Sequence, residues 1–258
     1  MLNLTTQSIK DFQICERLYD YRYNDKLPEK IYSRDIYTQK FESTIKNILY
    51  FFWYKKQGGI TPSYTAMLNR WEKLWFPKNM DYYDIMTQQH ETAYGNVASL
   101  TTKATGILMQ FHEIYSSSDA IPIAICENFV SVVNKTSKIE DKFDLIYRED
   151  SKNYVIKFLF NYKSNRSYLY QTDFSVMRSG FKLKHPDKMQ DTNFGYIDLM
   201  SNDLNFINYE ITNEDTDSLT YWCDIISEKK LLVPRRGLTS YCKKCPFDDP
   251  CSKWVGWK

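Results

Sequence analysis

The chain contains 258 residues, of which 43% are hydrophobic, 16% aromatic and 26% charged. This apolar share is large enough to form a buried core, which excludes a globally disordered chain. The formal net charge is only +2, so the overall basic charge that is typical of many nucleic-acid-binding proteins is absent. A local basic groove remains compatible with this total.

Apolar runs are short throughout the sequence. The N-terminal region has no hydrophobic stretch of signal-peptide length, and no window of about 18 apolar residues predicts a membrane-spanning helix. The nearest candidate, ILYFFWY at 48–54, is too short. We therefore expect a cytoplasmic protein with no membrane partner, in which the six cysteines are metal ligands or free thiols rather than disulfides.

The first third of the sequence has the apolar spacing of amphipathic helices. We predict helices over 6–23, 38–56, 60–76 and about 90–116. Thr61 is predicted to cap the third helix and Pro62 to occupy its first position, because proline is favoured there.

Residues after 120 have a β-rich composition. We predict three consecutive strands at 121–133, 139–149 and 153–163, because β-branched and aromatic residues dominate these runs and turn-like segments separate them. The later predicted elements are a helix over roughly 167–179, a hairpin over 194–211 that turns at 201–203, and a last helix over about 214–229.

This order of elements predicts one mixed α/β domain over 1–258, in which helices are wrapped about a single sheet. Its parts are a helical region at about 1–117, a sheet core at about 120–211, and a C-terminal helix with a cysteine cluster at about 213–258.

Three cysteines stand close together near the C-terminal end: Cys242, Cys245 and Cys251, in the spacing C-x2-C-x5-C. Zinc and iron–sulfur clusters both take thiolates at such spacing, and Pro246 and Pro250 would stiffen the loop between the ligands. The alternative is a set of free thiols on an exposed tail. Three thiolates are one short of a closed four-ligand site, so a fourth ligand must come from elsewhere.

The remaining cysteines are Cys15, Cys126 and Cys223. Cys126 lies in an apolar strand run and Cys223 follows a tryptophan in a predicted helix, so both have the character of small core residues. Cys15 differs, because charged and aromatic residues follow it in FQICERLYDYRY.

Two segments, SIKDFQICERLYDYRY at 8–23 and CKKCPFDDPC at 242–251, resemble the iron–sulfur branch of the PD-(D/E)XK nucleases. This branch includes the AddB nuclease domain and the CRISPR-adaptation nucleases, and it is related to RecB. The resemblance spans almost the whole chain, and the cysteine pattern is its most specific part. It implies a PD-(D/E)XK restriction-endonuclease-like core sheet wrapped by helices.

In that family one N-terminal and three C-terminal cysteines hold a [4Fe–4S] cluster, which implies the ligands Cys15, Cys242, Cys245 and Cys251 here. Zinc is the alternative metal. A covalent link across so long a loop is worth about 4–5 kcal/mol in the chain-entropy model. We therefore expect the cluster to join the two ends of the domain in a structural role, with redox sensing as the alternative.

Members of the family use carboxylates to hold Mg²⁺ or Mn²⁺ beside the scissile phosphate, with a lysine nearby. The resemblance places Asp144, in DKFDLIYRED, at the metal-binding aspartate. At the usual interval the (D/E)-x-K element falls on 158–160, which is Phe-Leu-Phe and cannot bind a metal. A better match is the Asn-Tyr-Lys of 161–163, in which Asn161 replaces the carboxylate. In a strand, Asn161 and Lys163 would face the same side.

Other family positions are altered as well. No histidine lies in the second predicted helix, because the three histidines are His90, His112 and His185. Gln171 matches the glutamine of the family's Q-x-x-x-Y element, but Ser175 stands at its tyrosine position. Glu127 matches an acidic position seen in some members, and a solvent-exposed strand-end glutamate explains it equally well. We therefore regard Asp144 and Lys163 as vestigial catalytic residues.

We expect a catalytically inactive nuclease-like protein that acts as a nucleic-acid-binding or assembly subunit of a DNA-processing, transcription or viral complex. Lys163 and Arg166, together with Lys157, are candidates for phosphate contacts, and Tyr168 and Tyr170 for base stacking. The alternative for these residues is a solvated, tyrosine-rich start of a helix. The near-neutral net charge argues against tight nonspecific binding to DNA and favours protein partners.

Two other functions remain open. One is an active exonuclease that cuts DNA with Mg²⁺ or Mn²⁺ and relies on Asp144, Glu127 and Lys163. The other is a zinc-ribbon-like interaction protein. The composition is rich in Asn, Lys and Tyr, which is typical of an AT-rich genome and suggests a bacterial or phage-infected cell as the source.

Overall fold

A computed structural model describes residues 1–30, 33–76, 91–163, 167–228, 241–242 and 245–254. The strands in these ranges are β1 (Leu2–Thr5), β2 (Glu91–Thr92), β3 (Gly95–Asn96), β4 (Ile121–Val132), β5 (Ser137–Glu149), β6 (Lys152–Leu159), β7 (Thr192–Asp198) and β8 (Ile207–Asn208). The α-helices are α1 (Thr6–Ile14), α2 (Glu16–Tyr19), α3 (Ser33–Gln57), α4 (Tyr64–Trp75), α5 (Val97–Tyr115), α6 (Ser167–Lys184), α7 (Asn213–Ser227) and α8 (Asp248–Trp254). None of these helices is long and apolar enough to cross a membrane.

β5 is the central strand of a six-stranded mixed sheet. β4 runs antiparallel along almost the whole of one edge of β5. Two strands share the other edge: β1 pairs in parallel with residues 137–140, and β6 pairs antiparallel with residues 145–149. Residues 141–144 therefore lie between the two partners, where the sheet divides. Beyond β6, β7 continues the sheet in parallel and β8 pairs antiparallel with β7.

Helices cover both faces of this sheet, and the side chains of β6 show how the two cores are divided. Ile156 and Phe158 belong to one core with α3, α4 and α5, whereas Val155 and Leu159 belong to a second core with α1, α6 and α7. Successive side chains of a strand point to opposite faces, so Lys157 lies on the face of α1, α6 and α7. The predicted α/β class, a mixed sheet flanked by helices, is confirmed.

The first predicted helix, 6–23, is interrupted at Cys15. The backbone of Cys15 is extended, with φ −163° and ψ 119°, and it separates α1 from α2. A π-helical turn over Asp20–Asn24 then follows α2. The strand β1 was not predicted at all, because four residues carry little alternation and their pairing with β5 holds them in place.

Two helix starts were also predicted at the wrong residues. Ser63, not Thr61, caps α4, since its hydroxyl accepts a hydrogen bond from the Ala66 N–H at 3.2 Å. The fourth helix begins at Val97, because β2 and β3 form a small hairpin before it and the Asn96 side chain caps it. The predicted start of that helix at residue 90 lies outside the described residues.

The third predicted strand is too long at its end. β6 stops at Leu159, and Asn161 has φ +63°, a left-handed conformation that cannot continue a strand. The carboxylate of Asp198, at the end of β7, accepts hydrogen bonds from the backbone N–H groups of Asn161 and Tyr162, each at 2.8 Å. The prediction that Asn161 and Lys163 share one strand face was therefore wrong, because a neighbouring strand captures this backbone.

Candidate functional site

A groove of about 890 Å³ opens beside the division of the sheet, between the start of α1 and the end of α6. We call it the α1–α6 groove, and its lining includes Lys10, Phe129, Asp141, Lys157, Asp173 and Lys184. Phe129 stacks on Phe143 with ring centroids 4.1 Å apart and forms an apolar wall. Charged side chains from β5, β6, α1 and α6 therefore converge at one place in the fold.

Asp144 is the predicted metal-binding aspartate, and it is 4% exposed. Its Oδ2 accepts hydrogen bonds from Lys46 Nζ at 2.9 Å and from the backbone N–H of Phe158 at 2.8 Å. Its Oδ1 accepts a hydrogen bond from the Tyr50 hydroxyl. Burial alone would raise the pKa of Asp144, but Lys46 and Lys157 outweigh it and hold the pKa below its ordinary value.

Asp173, on α6, is the most deeply buried carboxylate of the groove, at 1% exposure. Lys157 Nζ lies 2.7 Å from its Oδ1, and Lys10 Nζ pairs with its Oδ2. These two ammonium groups lower the pKa of Asp173 against the opposing effect of burial. Two lysines from different elements thus share one buried carboxylate.

Asp141 completes the acidic groups at the division of the sheet. Its Oδ2 accepts a hydrogen bond from the Thr6 hydroxyl, and its Oδ1 accepts one from the Lys142 N–H at 2.8 Å. We refer to Asp141, Asp144 and Asp173 as the aspartate triad, and to Lys10, Lys46 and Lys157 as the lysine triad. The two triads carry equal and opposite charge when every member is ionised.

The aspartate triad does not fit a bound Mg²⁺ or Mn²⁺ ion as these side chains stand. Such an ion needs several oxygen ligands with free lone pairs directed at one point. Both oxygens of Asp144 already accept hydrogen bonds, and each oxygen of Asp173 is paired with an ammonium group. Among the described residues, these carboxylates therefore offer no ready site for a divalent cation.

The predicted nucleic-acid contacts lie just beyond β6. Lys163 is exposed in the loop after this strand, and Arg166 lies outside the described residues. Tyr162 stacks on Tyr196 and packs against the tilted ring of Tyr170, with ring centroids 4.7 Å apart in each pair. Tyr170 is thus engaged in packing, whereas Tyr168 is 46% exposed.

Glu127 and Gln171 are the weaker predicted site residues. Within the described ranges, no hydrogen bond joins either of them to Asp144. Glu127, on β4, forms an ion pair with Lys184 at the end of α6. Gln171 lies near Tyr209, whose pKa burial raises to about 12. Ser175, at the family's tyrosine position, is buried in α6.

The four cysteines named by the resemblance come together. Cys15, Cys242, Cys245 and Cys251 line one small cavity, next to a cluster formed by Leu18, Tyr21 and Phe247. The break between α1 and α2 turns Cys15 toward this cavity, and α8 carries Cys251 into it. Four thiols with apolar neighbours match the donor set of a zinc or iron–sulfur site.

The thiols are close enough to influence each other. Burial, together with the other three cysteines, raises the pKa of the Cys245 thiol to about 11. Within the described ranges, no three His, Cys, Asp or Glu side chains are grouped closely enough to hold a metal ion. Cys223 is fully buried in the second core and Cys126 lies on β4.

Sequence reasoning missed most of the groove. The lysine triad as a unit and the residues Tyr50, Asp173 and Asp198 were not identified. One signal was present: Lys46 and Tyr50 are four residues apart in a predicted helix, so they share one face and can reach a common partner. Asp173 and Lys10 had no such signal, because 163 residues separate them.

Comparisons with known proteins give little further information. No protein-family profile matches the chain, and no curated protein matches it. A solved structure described as the crystal structure of SSO0001 is similar over 94% of this chain and 93% of the other chain, with 14% identity and a TM-score of 0.33. A similarity this low carries no argument about family, so the α/β assignment depends on the topology described above.

Proposed function

We propose that this protein is a catalytically silent, PD-(D/E)XK nuclease-like subunit, held together by a [4Fe–4S] cluster, that binds nucleic acid or assembles with other proteins in a DNA-processing, transcription or viral complex. One observation carries the proposal. Asp144, at the position of the family's metal-binding aspartate, already has both oxygens engaged by Lys46, Tyr50 and the Phe158 N–H.

The chemistry of phosphodiester hydrolysis explains why this observation matters. A divalent ion must polarise the phosphate and activate water, which requires carboxylates with free lone pairs. Displacing Lys46 would leave a partly buried ammonium without its partner, a change that is strongly unfavourable. The amide of Asn161 adds no carboxylate, and its left-handed backbone is tied to Asp198 in a loop.

The cysteine cavity supports the structural half of the proposal. Cys15 lies near the start of the chain and Cys242, Cys245 and Cys251 near its end, so one metal centre would join the two ends of the domain. A [4Fe–4S] cluster bound there would supply thiolate–iron cross-links, and zinc is the alternative. Loading either metal requires deprotonation of the thiols.

The binding half of the proposal rests on the loop after β6 and the start of α6. Lys163 is exposed there, and Tyr168 presents an aromatic ring to solvent beside it in sequence. An ammonium group and an exposed ring suit a phosphate and a base of single-stranded nucleic acid. Their small number agrees with a weak nucleic-acid contact that supplements protein partners.

The first experiment is a cleavage and binding assay on one anaerobic preparation of the full chain. Its metal content is measured, and labelled single-stranded DNA is incubated with Mg²⁺ or Mn²⁺ beside an Asp144→Ala variant. We expect visible absorbance with bound iron and sulfide, no cleavage, and salt-dependent DNA binding that Lys163→Ala weakens. Cleavage that needs Mn²⁺ and disappears in Asp144→Ala would show an active exonuclease instead.

A further inference from the structure

β4 is an edge strand, because β5 is its only neighbour among the described strands. The N–H of Val133 donates to the Ser137 carbonyl at 3.3 Å, so the backbone groups of Val133 face β5. Successive residues of an antiparallel strand point their backbone groups to opposite sides. The N–H and C=O groups of Asn128, Val130 and Val132 therefore point away from β5, along the outer edge of the sheet.

The two halves of this edge are protected differently. In the first half, the Tyr54 hydroxyl from α3 donates to the Ile125 carbonyl at 2.8 Å, and Cys126 has a left-handed backbone with φ +49° that departs from a regular strand. We call residues 128–132 the open run. In the described part of the chain, the outward backbone groups of the open run have one hydrogen-bond partner, the flexible side chain of Lys184, which reaches a carbonyl at 3.4 Å. Covers and irregular backbone are how edge strands avoid pairing, and the open run lacks both.

We infer that the open run pairs antiparallel with the open run of a second copy of this chain, about a two-fold axis at Val130, so that two sheets join into one. Such a contact uses the same surface on both copies and closes a dimer. The inference rests on the proposed assembly role and deepens it, because it names the chain itself as a protein partner.

The backbone of the open run is complementary to itself. In an antiparallel pair centred on Val130, this residue lies opposite Val130 of the second copy, and Asn128 lies opposite Val132. All three positions are then hydrogen-bonded pairs. Each such pair exchanges two bonds or shares them with its symmetry mate, so about six backbone hydrogen bonds would form. Every outward group of the open run is satisfied by this one arrangement.

The side chains of the open run also favour a second copy. Val130 is 41% exposed and Val132 is 51% exposed, whereas Phe129 and Ser131 between them are buried and contact α6. Pairing would place exposed β-branched side chains of the two copies side by side, and such cross-strand pairs stabilise a sheet. The open run contains no charged side chain, so no like charges meet across the axis.

The test measures the mass of the full chain by sedimentation equilibrium at about 1–100 μM, a range in which weak dimers dissociate. The samples are the unmodified protein, Val130→Lys, Val130→Glu, and an equimolar mixture of these two variants. Ile121→Lys is the matched control, since Ile121 is 60% exposed on the same strand but outside the open run. Thermal unfolding checks that each variant is folded, and Val130→Arg with Val130→Asp replaces a pair that is not.

We expect the unmodified protein and Ile121→Lys to form dimers with a Kd of about 1–50 μM, because two short strands bury less surface than a standard interface. Each Val130 variant alone should associate at least about tenfold more weakly, because like charges then lie directly opposite each other. The mixture should restore the dimer, because opposite charges meet at the axis.

Three results would overturn the inference. The first is an unmodified chain that stays monomeric at the highest concentration, whether or not it captures an extended segment of another protein. The second is a dimer that either Val130 variant leaves unchanged, and the third is a mixture that remains monomeric. Failure of the proposed function is a separate result, since DNA cleavage that depends on Asp144 would leave these masses as they are.

Discussion

Asp144 illustrates how much of one residue's role can be predicted from its sequence context. Its strand position was predicted, but its chemical state depends on Lys46 and Tyr50 from α3 and on the Phe158 N–H from β6. These partners keep the carboxylate ionised inside the protein, and they lower the pKa of Asp144 against the effect of burial. A residue that resembles a metal ligand in the sequence is a structural anion in the fold.

This state gives a pH-dependent prediction for Asp144→Asn. A carboxyl group with a depressed folded pKa contributes stability that is fully present above its unfolded pKa of about 3.9 and is lost as the pH falls through its lower folded value. The substitution should lower the free energy of unfolding by about 3 kcal/mol at pH 7, because Lys46 then lacks its buried partner. Urea unfolding between pH 7 and pH 3 measures this difference.

The matched control for this prediction is Asp203→Asn, which changes an exposed aspartate. Its free energy of unfolding should stay within about 0.5 kcal/mol of the unmodified protein. The deficit of Asp144→Asn should shrink below about pH 4. A deficit that stays constant from pH 7 to pH 3 would contradict the assignment of an ionised Asp144.

At the scale of the elements, two helical glycines have different surroundings. Gly180, in α6, faces Phe129 so closely that a Cβ atom there would overlap the ring. Gly106, in α5, has no heavy atom within 4 Å of the position that a Cβ atom would take. The first glycine is required by helix-on-sheet packing, and the second is not.

We predict opposite signs for the same substitution at these two positions. Gly106→Ala should raise the free energy of unfolding by up to about 1 kcal/mol, because alanine is the better helix former. Gly180→Ala should lower it by about 1–3 kcal/mol, because the added Cβ atom would overlap the Phe129 ring, which stacks on Phe143. Chemical denaturation of both variants measures these two changes in the free energy of unfolding. Stabilisation by Gly180→Ala would show that α6 does not pack this closely on β4.

At the scale of the whole molecule, the cysteine cavity joins segments that are far apart in sequence. Cys15 ends α1, and the same helix carries Thr6 and Lys10 into the α1–α6 groove. The C-terminal cysteines reach the cavity from the other end of the chain. A metal centre there would fix both ends of the domain and, through α1, one wall of the groove.

Cys15→Ser should therefore lower both metal content and stability. The loss is expected to approach the 4–5 kcal/mol that the chain-entropy model gives for so long a closed loop, about the largest effect expected of a single cross-link. Analysis of iron, sulfide and zinc measures the metal content of this variant, and thermal unfolding measures its stability. The control is Cys126→Ser, which should keep its metal. Full metal content in Cys15→Ser would contradict the four-cysteine site.

Several elements were predictable because their signals are local. The spacing of apolar residues gave α3, α4 and α7 to within a few residues, and β-rich runs separated by turn residues gave β4 and β5. The errors fall where a distant partner overrides local preference. Asp198 ends β6 early by binding the backbone of the next residues, and β5 turns Leu2–Thr5 into a strand.

The sequence by itself determined the α/β class and the order of the longer helices and strands, since both follow from residue type and spacing, whereas the four cysteines that line one cavity were singled out by the family resemblance. Only the tertiary structure decided what the predicted catalytic residues do. Ionic partners such as Lys10 and Asp173 are brought within contact by sheet pairing and helix packing. The charge state of a buried carboxylate depends on these neighbours in space, and residue spacing along the chain does not record them.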